Sequence, residues 1–210
     1  MTGEDRLPST FFNSCPDPKQ GMSVNKLRIY LDTLPDPLTG TQTLTPLLLS
    51  DSKGLYLEKH ILPGIKFCCK NSRNTTKGLN WIRDNLDYKI GNLGDISLYV
   101  WLGTCDLTSY NKGYILLHTD SNDIVDQMQA TQNFNEIATI FEEYPGCKLT
   151  FIETPPYSIY EWNKYFKHSD PNQLNNEDNI LIRQVLKFSA NIKEINSGNT
   201  LAYPGQRSKP

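Results

Sequence analysis

An α/β three-layer sandwich built on a parallel sheet is the fold class that the residues predict, and three observations predict it. Apolar runs at 47–49, 65–70, 96–102 and 149–153 are nearly continuous rather than strictly alternating, as in strands buried on both faces. Between them lie segments whose apolar residues recur at helical spacing, Leu79, Ile82 and Leu86 being the clearest. Each run ends abruptly in polar, turn-forming residues, so that strand, turn and helix follow one another along the chain.

Residues 1–45 carry Pro8, Pro16, Pro18, Pro35 and Pro37 among many Ser, Thr, Asp and Gly. That composition buries too little apolar area to offset chain entropy, and it reads as a tail or linker holding at most a short strand or helix at 26–31. The domain then spans 46–210. Leu47-Leu48-Leu49 reads as a buried strand that turns at Ser50-Asp51-Ser52-Lys53-Gly54 into one or two helical turns carrying Leu55, Leu57, His60 and Ile61. A second strand at 65–70 gives way to the polar loop 71–76, where Thr75 or Thr76 offers a hydroxyl cap to the helix that follows. The third strand, 96–102, runs into Gly103-Thr104-Cys105-Asp106, and a short strand at 114–118 follows the turn Asn111-Lys112-Gly113. A long helix over 122–144 stops at Pro145-Gly146. The strand at 149–153 is broken by Pro155-Pro156, and a last helix covers 179–195.

With 210 residues the chain is one domain with a tail. Lys plus Arg is 21 against 23 Asp plus Glu, a net charge of -2 that supplies no global field for a polyphosphate, so no nucleic-acid partner is expected. The five cysteines are an odd number, form no C-x-x-C pair, and read as thiols in a reducing compartment; the adjacent Cys68 and Cys69 should point to opposite faces of their strand. No basic segment precedes an apolar stretch at the N-terminus, and no run approaches the roughly 18 apolar residues of a membrane span. A cytoplasmic protein without a membrane partner is the expectation. No carboxylate-histidine cluster has metal-ligand spacing, and no cofactor is implied.

In a parallel sheet ligands bind beyond the carboxyl ends of the strands, which makes the loops after those ends the candidate places. A serine at a sharp strand-to-helix turn, as Ser52 is, has its hydroxyl at the sheet edge with backbone N–H groups nearby to stabilise negative charge. The same residues equally serve as a plain helix cap. Gly103, directly after a strand, lets the backbone approach a ligand closely. The two prolines at 155 and 156 favour extended backbone. Tyr157, Tyr160 and Trp162 beyond them either wall a cleft or cover the core beneath a long loop.

The blocks LLLSDSKG (47–54), NSRNTT (71–76) and WLGTCDLT (101–108), each beyond a strand and in this order, resemble the ordered blocks of the SGNH (GDSL-type) hydrolases, a superfamily of flavodoxin-like esterases and lipases. More narrowly, LYVWLGTCDLT, FIETPPYSIYEWN and FSANIKEIN are similar to the SGNH-like domains of invertebrate retroelement open reading frames. The resemblance covers residues 46 to the C-terminus. It implies that Ser52 is the nucleophile, in a GDS-like turn written SDS with Ser50 in place of Gly. It further implies that Asp51, the 71–76 loop with Ser72 and Arg73, and Gly103, Cys105 and Asp106 line the site around the oxyanion, with Tyr157 and Trp162 as cleft walls. Two departures stand out. The family's Gly-x-Asn-Asp reads Gly103-Thr104-Cys105-Asp106, so a thiol replaces an amide donor; a thiol donates far more weakly, and losing one oxyanion donor costs roughly 10²–10³ in rate. The Asp-x-x-His that supplies the base occurs nowhere, the three histidines being His60, His118 and His168. The chain is therefore expected to be a fragment ending before that block, or the product of a gene that lost it.

The activity implied is hydrolysis of a small ester through a serine acyl-enzyme. The alternative is a catalytically degenerate SGNH-fold module that binds a partner or small ligand, or a relic. A third reading is a nucleotide-binding flavodoxin-like domain, against which the absence of G-x-G-x-x-G and of G-x-x-x-x-G-K-[ST] counts. The oligomeric state is left open.

Overall fold

The computed structural model describes residues 44–60, 64–118, 125 and 129–199. The short element expected at 26–31, nearly all of the tail and the first residues of the helix expected from 122 lie outside them. A four-stranded parallel sheet in the order β2-β1-β3-β6 forms the centre, with β1 Thr45–Ser50, β2 Lys66–Cys69, β3 Ile96–Trp101 and β6 Lys148–Phe151. The helices are α1 Ser52–Glu58, α2 Thr75–Leu93, α3 Thr104–Leu107, α4 Gln129–Phe141, α5 Ile159–Tyr165 and α6 Asn175–Asn199. This is the α/β class expected.

Register decides which residues share a face. Leu49 aligns with Cys68 and Val100, and Val100 with Phe151, so these point one way together with Leu47 and Leu98. Helices α2 and α4 pack against that side, and α6 lies on α4 and along β6. Phe134 of α4 stacks on Phe151, with ring centroids 4.5 Å apart, and meets Phe188 of α6 at 5.6 Å. All three rings are fully buried. On the opposite face Ser50 and Cys69 meet α1. Gly54 makes that approach possible, because a Cβ there would lie 2.3 Å from Cys69 Sγ. Cys68 and Cys69 thus do face opposite ways, and both are unpaired, as are Cys105 and Cys147.

The structure corrects two local expectations and completes a third. The cap of α2 is Asn74, whose side chain accepts from Lys77 N at 3.0 Å, and not Thr75 or Thr76. The strand expected at 114–118 is present as Tyr114–Leu117, and it pairs antiparallel with Thr108–Asn111 outside the main sheet. These two strands, β4 (Thr108–Asn111) and β5 (Tyr114–Leu117), join through a turn in which Lys112 and Gly113 both have positive φ, the backbone that suits a two-residue hairpin. The aromatic segment beyond the prolines is extended only to Ser158, where α5 begins. Ser158 Oγ accepts from Glu161 N at 2.9 Å, and Asp178 Oδ1 accepts from Ile159 N at 2.6 Å.

Two asparagines act as side-chain partners for single strand residues. Asn196 accepts from Phe151 N at 2.9 Å and donates to Phe151 O at 2.8 Å, capping the outer side of β6. Asn163 treats Ile115 of β5 the same way, at 2.9 and 2.7 Å.

The strand order has one consequence for function. From β1 the chain crosses to β2 on one side, while β3 lies on the other, so the loops after β1 and β3 diverge and leave a crevice at the carboxyl edge.

Candidate functional site

Residues 50–53, 70–75 and 103–108 meet at that crevice. Ser50 ends β1, and its hydroxyl donates to Trp101 O at 2.9 Å, tying β1 to β3. Its φ is not positive, so a side chain fits where the resembled family has Gly. Asp51 is 1% exposed and caps α1, its Oδ1 accepting from Lys53 N at 2.9 Å. Its Oδ2 accepts from Lys53 Nζ at 2.6 Å and lies 3.8 Å from Cys105 Sγ. Lys53 Nζ also donates to Thr104 Oγ1 and sits 5.4 Å from the Trp101 ring centroid. Ser52 is half-buried between Asp51 and Lys53, and among the described residues its hydroxyl has no hydrogen-bond partner.

The second and third loops are stapled by Asp106. Its carboxylate accepts from Thr75 N at 3.0 Å and from Thr75 Oγ1 at 2.7 Å, while Asn133 Nδ2 of α4 donates to Thr75 Oγ1 at 3.0 Å. Tyr157 closes the far side: its hydroxyl is 3.0 Å from Thr108 Oγ1 and donates to Thr104 O at 3.4 Å. Gly103 has φ +119, and a Cβ there would lie 2.3 Å from Phe188 Cε1 and 2.9 Å from Thr154 Oγ1, so only a glycine lets β3 turn into this loop without displacing its neighbours.

Burial sets the protonation states. The Cys105 thiol is pushed up to about 11 by burial and then by the Asp51 carboxylate, so it is a thiol and not a thiolate near neutral pH. Burial likewise raises Tyr157, against the hydrogen bond from Thr108. Asp106 is raised from 3.8 to about 6 by burial, with the Thr75 hydrogen bonds and His118 pulling the other way.

Ser52, Asp51, Gly103, Cys105, Asp106 and Tyr157 are thus brought to one sheet edge. Arg73 is buried with its guanidinium turned to backbone carbonyls, Cys68 O and, at 3.4 Å, Ser50 O, where it ties β1 to β2. Ser72 is exposed with φ +56, the one non-glycine left-handed residue of its loop. Trp162 is seated on the hairpin, its Nε1 donating to Gly113 O at 3.3 Å. Among the described contacts no histidine bonds to Ser52 or Asp51. His60 is exposed beyond α1, His118 is exposed with its backbone N–H donating to Leu107 O, and His168 packs edge-on to Tyr114. Sequence reading missed Lys53 and Asn133, and it held Thr75 and Thr104 only as members of the 71–76 and 103–106 loops. For Asn133 a signal existed, a carboxamide on the apolar stripe of a helix. A cavity of about 490 Å³ beside β2, lined by residues that include Glu58, Phe67, Cys68 and Lys89, contains none of the site residues. Among the described residues no cluster of His, Cys, Asp and Glu is placed to hold a metal ion, and no helix is long and apolar enough to cross a membrane.

Asp106 has a measurable signature. A carboxyl whose folded value exceeds its unfolded one binds more protons when folded, so its stability contribution is full below pH 3.8 and is lost as pH rises through about 6. The difference corresponds to roughly 3 kcal/mol. Urea unfolding of the wild type and of Asp106→Asn between pH 4 and 7.5 should show the variant gaining on the wild type by up to that amount as pH rises. Parallel profiles would refute the assignment.

No family model and no curated protein matches the chain. Among solved structures it is similar to a lipase/acylhydrolase from Enterococcus faecalis, at 12% identity over 77% of this chain and 81% of that one, with a TM-score of 0.38. It is also similar to the C-terminal catalytic domain of peptidoglycan O-acetyltransferase A from Streptococcus pneumoniae, solved with a methylsulfonyl adduct, at 11% identity over 73% and 95% of the two chains, with a TM-score of 0.28. Both likenesses are loose, and the fold class rests on the sheet order and register described above.

Proposed function

We propose that this chain is an SGNH-like acyl-ester hydrolase domain in which Ser52 is the acyl-accepting hydroxyl. The observation that carries the reading is the position of that hydroxyl. Among the described residues it has no hydrogen-bond partner, Ser52 is half-buried at the strand-order crevice, and its neighbours reach across, Lys53 to Thr104 and Asp51 to Cys105. In the reaction, Ser52 Oγ forms a bond to the acyl carbon and the carbonyl electron pair moves onto oxygen. The hydroxyl proton passes to water at the rim. Collapse of the adduct expels the alcohol, which takes up a proton, and a water then hydrolyses the acyl-serine to the free acid.

One observation favours a second reading, a degenerate module that binds a small ligand. Cys105 occupies the place of the family's amide donor, yet its Sγ is directed at Asp51. Labelling with a fluorophosphonate, alongside hydrolysis of p-nitrophenyl acetate, separates the two. Wild type is expected to label at Ser52 and release p-nitrophenol, while Ser52→Ala does neither above background. Folded wild-type protein that neither labels nor hydrolyses would leave the binding module.

A further inference from the structure

We infer that Lys53 stabilises the oxyanion in place of the missing amide donor, an inference that rests on reading Ser52 as the nucleophile. Oxyanion stabilisation requires a donor or positive charge held at the place where negative charge develops, close to the attacking hydroxyl. The third loop has lost its amide there, and Cys105 cannot take over the task, since its thiol donates weakly and points to Asp51. Arg73 is engaged with carbonyl oxygens of β1 and β2. Asp106 adds negative charge and is engaged with Thr75.

Lys53 meets the requirement. It follows Ser52 directly, and its ammonium is drawn across the crevice to Thr104, the residue between Gly103 and Cys105. An ammonium has three N–H donors, of which, among the described residues, Asp51 Oδ2 and Thr104 Oγ1 engage two, leaving one for a developing oxyanion. The Trp101 ring lies against the cation and keeps bulk water from one side, and the side chain is only 22% exposed. The Asp51 carboxylate fixes the ammonium in position. Three side chains, Asp51, Trp101 and Thr104, therefore hold one positive charge on the residue that follows Ser52.

The test measures kcat and KM for a short acyl ester, together with the rate at which a fluorophosphonate modifies Ser52, for wild type, Lys53→Met, Lys53→Arg and the double variant Asp51→Asn/Lys53→Met. The double variant keeps an oxygen to cap α1 and leaves no buried carboxylate unpaired, so it remains informative if Lys53→Met folds poorly. Both variants lacking the cation should lose about 10²-fold in kcat and in modification rate. KM should stay within about twofold, and Lys53→Arg should recover most of the loss, which a purely structural role would not produce. If wild type labels at Ser52 but folded Lys53→Met or the double variant keeps its rates within about threefold, this inference falls and the hydrolase reading stands. If wild type does not label at all, both fall.

Discussion

Gly103→Ala should lower the unfolding free energy by about 3–5 kcal/mol, a large share of what a domain of this size has. Two independent costs add. At φ +119 an L side chain is strained whatever the space around it, and the added methyl would sit 2.3 Å from the ring edge of Phe188. Since Phe188 is fully buried and packed against Phe134, its ring has little room to retreat. Only the second cost involves Phe188. Urea titration of Gly103→Ala, Phe188→Leu and the double variant should therefore show a double variant less destabilised than the sum of the singles by about 1–3 kcal/mol. A Gly103→Ala protein within about 1 kcal/mol of wild type would mean that the loop after β3 does not have the backbone described.

Phe134→Ala is expected to cost a similar amount, about 3–5 kcal/mol, for a different reason. Phe134 is the middle ring of the stack that joins β6, α4 and α6, so truncation opens a cavity among three elements. The aromatic contacts add about 0.5–1.5 kcal/mol to the loss of apolar burial. Phe134→Leu, which fills most of the space, should cost roughly half as much, as read from the midpoints of thermal or urea unfolding. Equal effects for Leu and Ala would show that ring stacking rather than volume holds this part of the core.

The strands of the central sheet were legible from short apolar runs bounded by turn residues: Leu47, Leu48 and Leu49 of β1 are buried on both faces, while β3 buries Ile96, Leu98 and Val100 on one. What failed was local chemistry decided at a distance. Asn74 and Thr75 are both competent caps, and the choice between them is made by Asp106, 31 residues away, which engages Thr75 and leaves the cap to Asn74. The hairpin was half-read, because Thr108–Asn111 is largely polar and exposed and shows its strand character only in pairing with Tyr114–Leu117. The turn at 155–156 hid α5, whose start depends on Asp178 of another helix. At the site, Ser52, Asp51, Gly103, Cys105 and Asp106 could be named because their order along the chain follows the strand ends. Lys53 could not, because a lysine at the start of a helix is ordinarily a solvated charge until Thr104 is known to lie opposite it.

The pairing of Asn196 with Phe151 also bears on how the molecule avoids sticking to itself. A strand rim with open amide and carbonyl groups is a template onto which other chains can stack, and here one carboxamide occupies the template at Phe151. Fibril growth from that rim would first have to displace α6, so resistance to seeding on this side is inherited from the stability of a helix rather than from an added strand.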